Sequence, residues 1–117
     1  MSRLSEKNCT ACRVDSPLLS EADVHTALLQ LPDWEIEDVG GINQLMRVYR
    51  FKNFVSALVF TQAVGELAEA YGHHPALLTE WGKVKVSWWT HKIHGVHEND
   101  VIMAAKTEQL FLTRFAT

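Results

Sequence analysis

Two tight turns, Asp38-Val39-Gly40-Gly41 and Trp81-Gly82, each stand between runs rich in strand formers or alternating in polarity. Alternation with a period of two puts successive side chains on opposite faces of a strand, and adjacent glycines accept the positive φ of a short hairpin loop. The first pair of runs is Trp34 to Glu37 with residues 42–51; the second is Ala76 to Glu80 with Lys83 to Thr90. Between the hairpins the period changes. Phe54, Ala57, Leu58, Thr61, Val64, Ala68 and Tyr71 recur at steps of three or four, which predicts a long helix with this stripe buried. Asn53 is its expected N-cap, and Gly72 suits the left-handed residue that closes it. Ser20-Glu21-Ala22-Asp23 resembles a capping box, followed at helical spacing by Val24, Leu28 and Leu31 until Pro32. Glu98-Asn99-Asp100 opens a third helix through VIMAAKTEQLFL, its acidic residues suited to the positive N-terminal end. The result is an α+β fold: a four-stranded antiparallel sheet with three helices on one face, in the order α-β-β-α-β-β-α.

With 117 residues, 47% of them hydrophobic, the chain has material for one core. We therefore expect residues 19–117 to form a single domain behind a flexible N-terminal arm, residues 1–18. A formal charge of −3 argues against nucleic acid as a partner, since phosphate contacts need clustered Lys and Arg. No apolar run approaches the ~18 residues of a membrane span, and MSRLSEKNCTACRVDS lacks the apolar stretch of a signal peptide. A cytoplasmic location and no membrane partner are expected. Cys9 and Cys12 form one C-x-x-C, half of what a zinc ribbon needs, and no strand precedes it as in a redox motif. Two reduced thiols are the expectation.

Six histidines and four tryptophans are many for this length, and five of the histidines fall between positions 73 and 97. Imidazole titrates near pH ~6.5 and so gives or takes a proton at neutral pH. His73 and His74 follow a glycine and precede Pro75, which fixes the backbone; consecutive residues there point in different directions and can touch two parts of one ligand. Glu69, four residues before His73 on the last helical turn, is within reach to orient or charge an imidazole. His91 lies where the last strand runs out. His91-x-x-His94-x-x-His97 resembles a metal-ligand run, but it crosses from strand end toward a helix start without helical stacking or a placed carboxylate, so no metal is expected. His25, His94 and His97 are expected to be bystanders, the latter two facing solvent. Trp34 and Trp88 read as core, whereas Trp81 and Trp89 could wall a pocket for a flat heterocycle or fill an oligomer interface.

Glu69-x-x-x-His73-His74-Pro75, with Trp81 after five residues, His91 after nine more and Asp100 after eight more, resembles the pterin-4a-carbinolamine dehydratases. The similarity runs from about Leu19 through the third helix, and ACRVDSP resembles the N-terminal arm of bacterial members that accompany phenylalanine hydroxylase. The resemblance implies loss of water from a 4a-hydroxytetrahydropterin to give the quinonoid dihydropterin, with the pterin as substrate and no cofactor. It implies catalytic roles for His73, His74 and His91. Substrate-binding roles are implied for Glu69 (orienting His73 or meeting the pterin edge) and Asp100, which also suits helix capping; Pro75, shaping the loop, and Trp89, as a pocket wall, are expected to border the same site. It further implies a link to a pterin-dependent phenylalanine hydroxylase and a homodimer or homotetramer, for which Leu110, Phe111 and Phe115 are candidate contacts. Ala76-Leu77-Leu78 departs from the aromatic that often follows His-His-Pro, and His97 stands where Ser commonly caps. Because some relatives also serve as dimerisation partners of a transcription factor, protein binding is the alternative, with Ala104 and Ala105 permitting close helix approach.

Overall fold

The computed structural model describes Leu4 and residues 18–115, so the expected N-terminal arm, Cys9 and Cys12 included, lies almost wholly outside the described residues. The elements are α1 (Glu21–Leu28), β1 (Glu35–Val39), β2 (Ile42–Arg50), α2 (Phe54–Tyr71), β3 (Ala76–Glu80), β4 (Lys83–Trp88) and α3 (Glu98–Arg114). The four strands form one antiparallel sheet in the order β1-β2-β4-β3. This is the α+β architecture, and the α-β-β-α-β-β-α order, expected from the change of period.

Register decides which face is buried. Leu45 stands opposite Trp88, Tyr49 opposite Val84, and Leu77 opposite Val86, and these side chains form the inner face. Against them pack Ala57, Phe60, Val64 and Ala68 of α2 and Val101, Met103, Ala104 and Ala105 of α3, with Ala27 and Leu28 of α1 partly buried at the margin. Phe60 lies 4.7 Å from the Tyr49 ring and 5.2 Å from Phe51. Full burial of a side chain that size stabilises the fold by about 1.5–3 kcal/mol. The outer face is mixed, carrying Met46, Val48 and Leu78 beside charged residues, and there Lys85 reaches over β2 to Glu37 at 2.7 Å.

Local signals did their expected work at the helix ends. Ser20 Oγ accepts from the Asp23 N–H at 3.1 Å, Asn53 Oδ1 accepts from the Ser56 N–H at 2.8 Å, and Gly72 is left-handed with φ 64°. Three expectations are corrected. The first helix stops at Leu28 rather than Leu31, because Pro32 disfavours helical backbone at Leu31, and the chain closes in tighter three-residue turns that still bury Leu31 and Trp34. The fourth strand ends at Trp88 rather than Thr90, because Thr90 turns away to pair with Gly95. The buried stripe of α2 runs through Ala57, Phe60, Ala63, Val64 and Ala68, leaving Phe54, Leu58 and Tyr71 exposed. α2 is apolar around most of its circumference, so the aromatic contacts of Phe60 choose the face and the period does not.

Candidate active site

The left-handed Gly72 swings the chain out of the axis of α2, and the His73 N–H still returns to Ala68 O at 3.2 Å. Pro75 then leads into β3. Between these two fixed points, His73 and His74 point in opposite directions, as extended backbone requires. The His73 ring turns inward, with 12% of its side chain exposed, and stacks on the fully buried Trp88 at 5.7 Å and 8°. Its Nε2 lies 2.6 Å from Asp100 Oδ1. The His74 ring faces solvent, with Nε2 2.9 Å from Glu69 Oε2.

Asp100, the third residue of α3, has no exposed surface. Its Oδ2 accepts from the Thr90 hydroxyl and from the His97 N–H, both at 2.8 Å. A buried carboxylate needs such donors, because an unpartnered one is strongly disfavoured in an apolar interior. Thr90 bonds Gly95 through both backbone groups and so closes a small loop holding a single 3-10 turn, His91–Ile93. That turn presents the exposed His91 against Trp89, ring centroids 4.5 Å apart. Trp88, Thr90 and Asp100 thus anchor His73 from beneath, while Trp89 and His91 continue from the same strand end. The arrangement offers a half-buried imidazole paired with a buried carboxylate, beside two exposed imidazoles, a set that can both take and give protons on a bound ring.

Of the expected site residues, His73, His74, Pro75, Trp89, His91 and Asp100 lie about the N-terminal end of β3 and the C-terminal end of β4. Glu69 bonds His74 and not His73, since the turn at Gly72 breaks the helical four-residue reach. Trp81 is 72% exposed in the β3–β4 turn, the full length of a five-residue strand (about 17 Å) from the histidines. His25 and His94 are exposed, but His97 is buried: its Nδ1 accepts from the Asn99 N–H at 3.0 Å, and it forms a capping box with Asp100. It is therefore the N-cap of α3 rather than a solvent-facing bystander. Sequence reasoning missed Thr90, Trp88 and His97 as supports of His73; pairing Ala76 with Ser87 and counting outward along both strands would have put His73 beside Thr90. A cleft of about 500 Å³ between α1 and the β1–β2 turn borders His94 and Gly95 but touches none of His73, His74 and His91. Among the described residues, no group of three or more His, Cys, Asp or Glu is placed to hold a metal ion, and no helix is long and apolar enough to cross a membrane.

Fold and site together define a small α+β protein with an imidazole–carboxylate pair at one end of its sheet. Residues 17–110 match the family described as pterin 4 alpha carbinolamine dehydratase. A protein of Syntrophotalea carbinolica, provisionally named a pterin-4-alpha-carbinolamine dehydratase, is 54% identical over 94% of this chain and 98% of its own. The crystal structure of a transcriptional coactivator/pterin dehydratase from Brucella melitensis superimposes with a TM-score of 0.71 at 32% identity, covering 80% of this chain and 98% of that one. The chain belongs to the pterin-4a-carbinolamine dehydratase family, whose members are hydro-lyases.

Proposed function

We propose that this protein dehydrates a 4a-hydroxytetrahydropterin to the quinonoid dihydropterin by histidine acid–base catalysis, with no cofactor. The C4a–O bond breaks, the N5–H proton leaves, C4a=N5 forms, and the hydroxyl departs as water after receiving a proton. One group takes a proton while another gives one, a task suited to imidazoles on different sides of a ring. His73 and His91 make the proton-transfer pair, and His74, held by Glu69, binds and polarises the ring. Trp89 and Pro75 border the ring plane. Asp100 acts through His73, since its burial leaves it no surface to offer a substrate. The single observation carrying this reading is the 2.6 Å contact between the half-buried His73 imidazole and a fully buried carboxylate, which caps α3 with one oxygen and offers the other to the histidine.

The substrate would come from a pterin-dependent aromatic amino-acid hydroxylase such as phenylalanine hydroxylase, and the product would go to a reductase, in the cytoplasm. Generating the carbinolamine with such a hydroxylase and following quinonoid formation tests the reading. Wild type should accelerate the step, and His73→Ala/His91→Ala should lose on the order of 10²-fold or more. No acceleration by wild type would defeat it.

A second reading, protein binding, draws on the Brucella protein, which is described as a transcriptional coactivator as well as a dehydratase. It also draws on the outer face of α2, where Val55 (68% exposed), Leu58 and Val59 stand free. We assign that face to assembly of a homodimer or homotetramer. The residues of α3 expected as contacts are turned at least in part to the chain's own core. Leu110, Phe111 and Phe115 pack onto it, and Ala104 and Ala105 are buried in it. A binding-only protein would tolerate loss of His73 and His91 in a partner-capture assay and show no dehydratase activity.

A further inference from the structure

Resting on the dehydratase reading, we propose that Thr90 is a positioning residue that fixes the tautomer of His73 through Asp100. The two oxygens of this carboxylate have no access to water, so each depends on protein donors. At Oδ2 the His97 N–H is a donor of necessity, and its partner there is the Thr90 hydroxyl, each at 2.8 Å. With two hydrogens directed at Oδ2, the carboxylate presents Oδ1 to His73 as an acceptor. Nε2 at 2.6 Å then carries a proton, and in the neutral imidazole Nδ1 keeps its lone pair. That is the tautomer a proton acceptor needs. The Trp88 ring, parallel to His73 within 8°, prevents the imidazole from flipping to exchange its two nitrogens without disturbing the core.

Thr90 is well fixed for this task. It is 2% exposed, both its backbone groups are tied to Gly95, and its hydroxyl is directed at Asp100 Oδ2. It touches no substrate itself. Without its hydrogen, Oδ2 keeps a single donor, and the carboxylate can rotate to share either oxygen with His73 or with the N-terminus of α3. The imidazole then loses its single tautomer while the rest of the site stays in place.

The test pairs Thr90→Val, which removes the hydroxyl at nearly constant size, with Thr90→Ser, which keeps it. Imidazole ¹⁵N shifts of His73 in the ligand-free protein report which nitrogen bears the proton. In wild type and Thr90→Ser, Nε2 should be protonated and Nδ1 bare; in Thr90→Val the two nitrogens should move toward averaged shifts. Turnover should fall on the order of 10-fold in kcat with little change in KM for Thr90→Val, and return in Thr90→Ser. A wild-type His73 protonated on Nδ1 would overturn the proposal, whether or not any variant folds. So would a folded Thr90→Val that keeps both the wild-type shifts and the wild-type kcat. Because the shifts are read without substrate, a protein inactive on carbinolamine but with these shifts would sink the dehydratase reading and leave the tautomer assignment standing.

Discussion

One oxygen of Glu108 gathers three donors much as Asp100 does, but for the fold rather than the site. Trp34 Nε1 donates to Glu108 Oε1 at 3.1 Å, the Tyr49 hydroxyl at 2.5 Å, and the Arg47 guanidinium joins them while lying 4.3 Å over the Tyr49 ring. Burial, and then the hydrogen bond to Glu108 and its charge, hold the Tyr49 phenol far above its ordinary range. The folded phenol stays protonated where the unfolded one ionises, from about pH 10. The stability that protonated Tyr49 contributes is therefore complete below that pH and is lost as pH rises beyond it. In denaturant titrations, the midpoint of wild type should fall more steeply from pH about 9.5 to 11 than that of Tyr49→Phe. At neutral pH, Tyr49→Phe should be less stable by about 1 kcal/mol, the net worth of one buried hydrogen bond. Parallel alkaline limbs in the two proteins would show that Tyr49 is not the group responsible.

At the scale of elements, the start of α3 couples fold to site. His97 caps the helix with an imidazole nitrogen in place of a hydroxyl oxygen, and its backbone N–H holds the carboxylate that holds His73. His97→Ala should lower stability by about 1 kcal/mol, roughly 4 °C in Tm, and His97→Ser should recover most of it. Equal melting of the Ala and Ser variants would show that the cap contributes nothing. Caps of this sort mark what was legible in the chain. Asn53, Gly72 and Ser20 act on backbone groups three or four residues away, so their meaning is local and survives reading without a fold. The face of α2 was misread because Phe60 against Tyr49 is a contact between distant segments, and the end of β4 because Thr90 and Gly95 close a small loop that the alternation of the strand does not signal. The site divides in the same way. Its residue types were visible as a spaced pattern from Glu69 to Asp100, but its pairings were not. Glu69 takes His74 because Gly72 redirects the chain, and Asp100 reaches Thr90 and His73 only once α3 lies on the sheet.

For the molecule as a whole, the question is what covers the outer side of α2. Val55, Leu58, Val59 and Gln62 fall at i, i+3, i+4 and i+7, which is the seam of a helix that packs on another helix. Val55 and Val59 are 68% and 50% exposed, and Gln62 is occupied by a hydrogen bond to Glu66 at 3.2 Å. An unpaired apolar stripe on a chain of this size marks an association surface. The inner stripe of the same helix already serves the core, so charges placed on the outer one should separate subunits without unfolding them. Val55→Glu/Val59→Glu is therefore expected to sediment at the chain mass of 13.3 kDa with a near-wild-type circular dichroism spectrum, while wild type sediments at twice or four times that mass. The hydrogen bonds that hold His73 and His74 all come from a single chain, so turnover per chain should be retained in the separated subunits. Wild type that sediments at 13.3 kDa at tens of micromolar would turn the stripe over to a different protein. Loss of activity on separation, with the fold intact, would place a second copy of the chain beside the histidines.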